Sequence, residues 1–266
     1  VMDPIISVGT GLAVLGSKDI LVKVLGPTAD YVGDELRGIV EKCNINLDQI
    51  FIKAKNKLGD QLEKDGAVSP RVLKSVIDEG RFCEDELTAE YYGGVLASSK
   101  TKNGRDDRGV CYMELIKCLS VYQLRSHYLC YFLFKKNGKA NTNIGTAIER
   151  ENNTIFIPFK TFTKSMEFSE SEEHGIILAH VIAGLVTKGL LGSSYSYGTQ
   201  SHLKRTYNDC PEEGGIILEP TVLGAELFLW AEGINTIEAS AFLTSEFRLP
   251  KPIIPISDKG TLMIKK

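Results

Sequence analysis

Apolar residues three and four positions apart recur through the first half of the chain. Leu47, Phe51, Ala54, Leu58 and Leu62 fall on one stripe of a helix, and Lys53, Lys55, Lys57 and Asp60 lie outside it as a solvated face. Ser69 and Pro70 have the chemistry of an N-cap and a first helical residue. Val72, Leu73, Val76 and Ile77 form the buried side of that helix, and Gly80 ends it. A further helix runs from Glu84 through Leu87, Tyr91 and Val95, with Glu84, Asp85 and Glu86 in its first turn, where unpaired amides and the helix dipole favour carboxylates. Gly93 and Gly94 are costly inside a helix and permit close approach of another backbone, so they read as a packing notch. Val110, Met113, Ile116 and Leu119 mark one more face. Ser120 and Gln123 then form a capping box for VYQLRSHYLCYFLF, which is apolar nearly all round. This is the expected central core helix, with Arg125 and His127 as its polar members and His127 as a hydrogen-bonded structural residue.

Beyond the polar run Lys135–Asn143 the pattern changes. From Thr154 to Phe162, Ile155, Ile157 and Phe159 alternate inward, while Pro158 predicts an edge strand or extended arm. Ser169 and Glu172 predict a second capping box. Ile176, Ile177, Leu178, Val181, Leu185 and Val186 are the expected buried residues of the next helix, which stops at Gly189. A long loop leads to the strand-like Ile216–Leu218, after which Pro220 and Thr221 begin the helix TVLGAELFLWA. Helix, Gly-Leu-Leu, hairpin, strand and Pro-Thr-x-Leu-Gly resemble the wing and final helix of a winged-helix domain. The expected fold is therefore mainly α: a helical amino-terminal domain at 26–136, then a smaller α+β, winged-helix-like domain at 144–250. An apolar small-residue segment (1–25) precedes them, and a proline-extended tail (251–266) ends the chain.

Residues 4–25 are apolar except for Lys18, Asp19 and Lys23. Their uncharged part is shorter than the roughly 20 residues a bilayer-spanning helix needs. Two readings stand: packing on the protein's own core or a partner, and peripheral membrane contact or a pore-forming role. Gly26-Pro27-Thr28 then predicts a helix carrying Tyr31, Leu36, Ile39 and Val40. Met2 is the expected natural first residue, with Val1 an addition.

Composition narrows the partners. With 43% hydrophobic and 24% charged residues the chain is globular, and its formal net charge of −3 leaves a polyanion to be held only by a local basic patch. The six cysteines are dispersed without CxxC pairs or metal-ligand rhythm, the usage of reduced, mostly buried thiols in a cytoplasmic protein.

Carboxylates are densest between Phe82 and Gly109. Glu84, Asp85, Glu90, Asp106 and Asp107 are the residues that could hold a divalent ion and activate water. The competing explanation assigns the first-turn acids to the helix dipole, and Arg105–Arg108 to capping and internal pairing. His202, Lys204 and Arg205 lie on the wing-like loop and could meet a phosphate backbone, although Asp209, Glu212 and Glu213 come directly after them. His174 and His180 are six apart, a poor spacing for a metal. The sequence carries no nucleophile-elbow, phosphate-loop, zinc-protease or dinucleotide signature, so no cofactor and no metal are expected.

Gly26-Pro27-Thr28-Ala29-Asp30, Val68-Ser69-Pro70-Arg71-Val72-Leu73, Glu84-Asp85-Glu86-Leu87, Tyr92-Gly93-Gly94-Val95-Leu96-Ala97 and Arg105-Asp106-Asp107-Arg108-Gly109 together resemble the pattern of the Abi-alpha (abortive infection alpha) family of bacterial proteins. The likeness covers approximately residues 20–250 and is strongest before residue 135. It implies a bacterial protein of phage defence and supplies no reaction and no catalytic residues. Three functions stand as expectations: a non-enzymatic defence component acting through assembly with a protein partner or itself, or as an effector; a DNA-binding winged-helix regulator; and a metal-dependent hydrolase or nuclease.

Overall fold

The computed structural model describes residues 23, 45–83, 85–138, 141–207, 211–256 and 261–262. The apolar segment 4–25, apart from Lys23, and the helix expected after Pro27 lie outside the described residues. The described elements are mainly helical with a small sheet, and they divide into two compact units.

The first unit, 1–118 together with 230–235, holds helices α1 (Ile45–Leu58), α2 (Pro70–Gly80), α3 (Glu86–Ser98) and α4 (Gly109–Lys117). The stripe Leu47, Phe51, Ala54, Leu58 and Leu62 is buried, with Leu62 in a 3-10 turn at Gly59–Glu63. Lys100 closes that turn, its Nζ donating to the carbonyls of Gln61 (3.1 Å), Leu62 (2.9 Å) and Lys64 (2.9 Å). α1 packs chiefly on α3, where Gly93 permits the close approach. A Cβ at Gly93 would lie 2.6 Å from the Cβ of Lys53, and one at Gly94 1.8 Å from the carbonyl oxygen of Ala231. The packing notch is therefore real on both sides of α3.

The second unit, 119–229 and 236–266, is built on α5 (Val121–Asn137). Its start carries the expected capping box, and from Leu124 to Phe134 only Arg125 is not buried. The division falls at Cys118 and Leu119 rather than within Lys135–Asn143. The apolar surface of α5 packs on α7 (Phe159–Met166) and α8 (His174–Thr187), so this helix folds with the carboxy-terminal half of the chain. The remaining elements are α6 (Ala147–Glu151), β1 (Ile155–Pro158), β2 (Ser196–Gly198), α9 (Gln200–Leu203), β3 (Gly215–Leu218), α10 (Val222–Ala231) and β4 (Thr261–Leu262). The chain re-enters the first unit at the end of α10.

The described strands form an antiparallel sheet in the order β2-β3-β1-β4. Here the expectation of an edge strand at Pro158 is corrected. β1 lies inside the sheet, with Ile155 opposite both Leu218 and Leu262 and Phe156 opposite both Ile217 and Thr261. Pro158 is tolerated because the described pairing with β4 ends at Phe156, two residues short of the position where a proline would fail to donate. All four β1 residues are buried, so alternation does not separate an inner face from an outer one. Phe156 and Ile217 pack with Leu203 and Tyr207, which anchors the loop between β2 and β3.

Candidate functional site

The acidic run contributes five candidate carboxylates, of which Glu84 lies outside the described residues. Asp85 is the N-cap of α3, its Oδ2 accepting from the amide (2.9 Å) and the hydroxyl (2.9 Å) of Thr88. Asp106 is held by Arg108, whose Nη2 stands 2.7 Å from Oδ2 and whose amide stands 3.1 Å from Oδ1. The Arg108 hydrogen bonds outweigh partial burial and depress the Asp106 carboxyl below its ordinary range. Asp107 pairs with Arg71 of α2 at 2.5 Å. Neither aspartate caps α4 through its side chain: the N-cap is Arg108, with no side-chain cap bond. Of the capping and internal pairing expected of Arg105–Arg108, the side-chain cap is absent and the internal pair Asp106–Arg108 is present, while Asp107 reaches Arg71 of α2 instead. Similarly, Ser69 precedes α2 but makes no cap bond through its hydroxyl.

Glu90 belongs to a different arrangement. Its carboxylate oxygens lie 2.7 Å from Lys53 Nζ and 3.2 Å from Lys57 Nζ, and Lys57 also reaches Glu232 at 3.3 Å. Lys53 and Lys57 are not the solvated face that the helical pattern predicts, since their side chains are only 17% and 12% exposed. Burial works against the Lys53 charge, but Glu90 and Glu86 outweigh it and leave its pKa raised. Burial raises the Glu232 carboxyl, with Lys57 opposing. Lys53 and Lys57 thus join Glu86, Glu90 and Glu232 in one ion network along the α1–α3 seam. Among the described residues, no group of three or more His, Cys, Asp or Glu side chains is arranged to hold a metal ion. Asp85, Glu90, Asp106 and Asp107 each have their own amide or cationic partners. Of the described cysteines, Cys83 and Cys130 are buried while Cys111 and Cys118 are exposed; Cys43 and Cys210 lie outside the described residues.

The second candidate set lies between β2 and β3. His202 is in α9, with Lys204 and Arg205 in the turn after it, and all three are exposed. Glu212 and Glu213 of the same connection are also exposed, so the loop presents both signs of charge. Tyr195 and Tyr197 stack beside β2 with ring centroids 6.5 Å apart and planes 5° apart.

The feature missed in the sequence is the outer face of α8. Ser169 and Glu172 make only half of the expected box: the Ser169 amide donates to Glu172 at 2.6 Å, and the helix starts later, after Glu173. Leu178, Val181, Ile182 and Leu185 are buried, whereas Ile176 is 71% exposed, which corrects its assignment to the core. Ile176, Ala179, His180, Ala183 and Thr187 are all exposed on spacings of three and four. α8 contains no Lys, Arg, Asp, Glu, Asn or Gln. The signal available in the sequence was this uncharged run, too continuously apolar to show which side faced outward.

Among the described residues no helix is long and apolar enough to cross a membrane. No protein-family model, curated protein or solved structure matches the chain.

Proposed function

We propose that the chain is a non-enzymatic, cytoplasmic component of bacterial anti-phage defence of the abortive-infection kind, and that it acts through protein–protein assembly. The context rests on the resemblance carried by the runs from Gly26 to Gly109. The mode of action rests on one observation: the exposed, uncharged face of α8 from Ile176 to Thr187. Such a face offers a phosphate or a base edge no Lys, Arg, Asn or Gln, and its Ile176, Ala179 and Ala183 suit an apolar protein surface.

The DNA-binding alternative draws on the order β1, α7, α8, β2, loop, β3, which is that of a winged helix, and on exposed His202, Lys204 and Arg205. In that architecture α8 would be the recognition helix, yet it lacks every cationic and amide side chain that reads DNA. The hydrolase alternative would require an ion to displace the partners already held by Asp85, Glu90, Asp106 and Asp107.

Phage challenge of bacteria expressing the chain, with recovery of bound proteins, tests the assembly reading. Protection should survive Asp106→Asn with Asp107→Asn, survive Lys204→Ala with Arg205→Ala, and be lost with Ile176→Glu. Loss with the aspartate pair alone would favour hydrolysis. Duplex binding that falls steeply with salt and weakens in the Lys204 and Arg205 variants would favour DNA.

A further inference from the structure

We propose that α8 is a self-association helix: two copies of the chain pack their α8 helices antiparallel about a two-fold axis. This inference rests on the assembly reading and names the partner. In a two-fold pairing centred between Val181 and Ile182, Ile176 of one copy lies opposite Thr187 of the other, and His180 opposite Ala183. The small side chains of Ala179 and Ala183 near the centre let the helix backbones approach closely, and Ile176 fills the space toward each end.

The charges flanking α8 favour a second copy over another partner. Glu170 and Glu173 are exposed just before the helix, and Lys188 comes directly after its last residue. One helix end is therefore acidic and the other basic. An antiparallel mate sets the acidic end of each copy against Lys188 of the other, whereas a parallel pairing sets like charges together. A duplex is disfavoured by the same arrangement, because the charged residues directly before α8, Glu170, Glu172 and Glu173, are all carboxylates.

Sedimentation of the full chain across a concentration series tests the pairing. The wild type should dimerise, and Ile176→Glu and Ala183→Glu should each weaken the dimer by about tenfold or more. Both positions are exposed, so both variants should keep the wild-type circular dichroism and, at concentrations where the wild type is dissociated, its melting temperature. Glu173→Lys and Lys188→Glu should each weaken the dimer, and combining them should restore it. A wild type that remains monomeric, or a dimer indifferent to all four substitutions, overturns the pairing. A monomeric wild type whose protection is nonetheless lost with Ile176→Glu overturns self-pairing while leaving assembly with another protein standing. A dimer broken by Ile176→Glu with protection intact supports the pairing and removes the assembly reading of function.

Discussion

The hydroxyl of Tyr131 accepts the backbone N–H of Thr221 at 2.9 Å and donates to the carbonyl of Leu190 at 2.7 Å. Thr221 Oγ1 in turn donates to the Gly189 carbonyl (2.7 Å) and accepts the Gly224 amide (3.0 Å). One phenol on the core helix thus satisfies a buried carbonyl after the end of α8 and a part-buried amide at the start of α10. Tyr131→Phe should lower unfolding free energy by about 1–3 kcal/mol, the cost of stranding buried polar groups. Chemical denaturation would measure it. Tyr128→Phe is the comparison: its hydroxyl accepts a longer 3.3 Å bond from the Ile253 amide, and its loss should cost less.

His127, one turn before Tyr131, has its Nε2 3.0 Å from the Gly224 carbonyl oxygen, so the neutral ring donates there. Burial pushes its pKa down to about 3 from an ordinary 6.5, and the Gly224 bond only partly opposes this. The unfolded chain therefore binds a proton between these values that the folded chain refuses. The stability is fully present above pH 6.5 and erodes as pH falls toward 3. The slope from this one group is at most about 1.4 kcal/mol per pH unit. His127→Gln should be less stable at neutral pH but should show a shallower loss from pH 6.5 to 4. An equal slope in both proteins would remove His127 as the cause.

Local patterns made the helices legible, and distance in sequence hid the rest. The stripe on α1 and the Ser120/Gln123 box are written within single turns, so periodicity and side-chain chemistry reveal them. Thr221 looked like a helix start and nothing more, because its partner Tyr131 is on another helix far back in the chain. Lys53 and Lys57 looked solvated for the same reason: Glu90 and Glu232, which neutralise them, lie on later segments. β1 looked like an edge because proline argues for one, and the pairing with Thr261 and Leu262 comes from the far end of the chain. The outer face of α8 was hidden differently. Apolar residues surround most of that helix, so no moment distinguishes Ile176 from Leu178, and only packing against α5 decides which is covered.

The glycine pair of α3 gives an asymmetric expectation. Gly94→Ala would drive its Cβ to 1.8 Å from the backbone carbonyl of Ala231, an atom that cannot rotate away. Either the helix shifts or Ala231 does, and the loss should reach about 3 kcal/mol or more, above the usual cost of overpacking. At Gly175 in α8 a Cβ meets nothing within 4 Å, so Gly175→Ala should be neutral or stabilise by up to about 0.5 kcal/mol. Thermal unfolding of the two variants separates packing from helix propensity, and equal melting temperatures would show that the notch is not needed.

Lys57 stands between Glu90 and Glu232, and Glu232 retains only 7% of its side-chain exposure. Lys57→Met removes the cation and keeps the aliphatic length, leaving an unpaired carboxylate in a desolvated place. At neutral pH this should cost about 2–4 kcal/mol, below the full penalty of a broken buried pair because Lys57 is not wholly enclosed. The pH dependence identifies the carboxylate responsible. Burial already raises the Glu232 pKa above 4.5, and losing Lys57 raises it further. A raised carboxyl holds a proton in the folded state that the unfolded chain releases, so its penalty vanishes below pH 4.5 and grows as pH rises through that value. The deficit of Lys57→Met relative to wild type should therefore shrink as pH is lowered from 7 to 4.5. Adding Glu232→Gln should recover part of the neutral-pH loss and flatten the dependence. A deficit independent of pH would mean that the Lys57 stem, and not its charge, supports the α1–α3 seam.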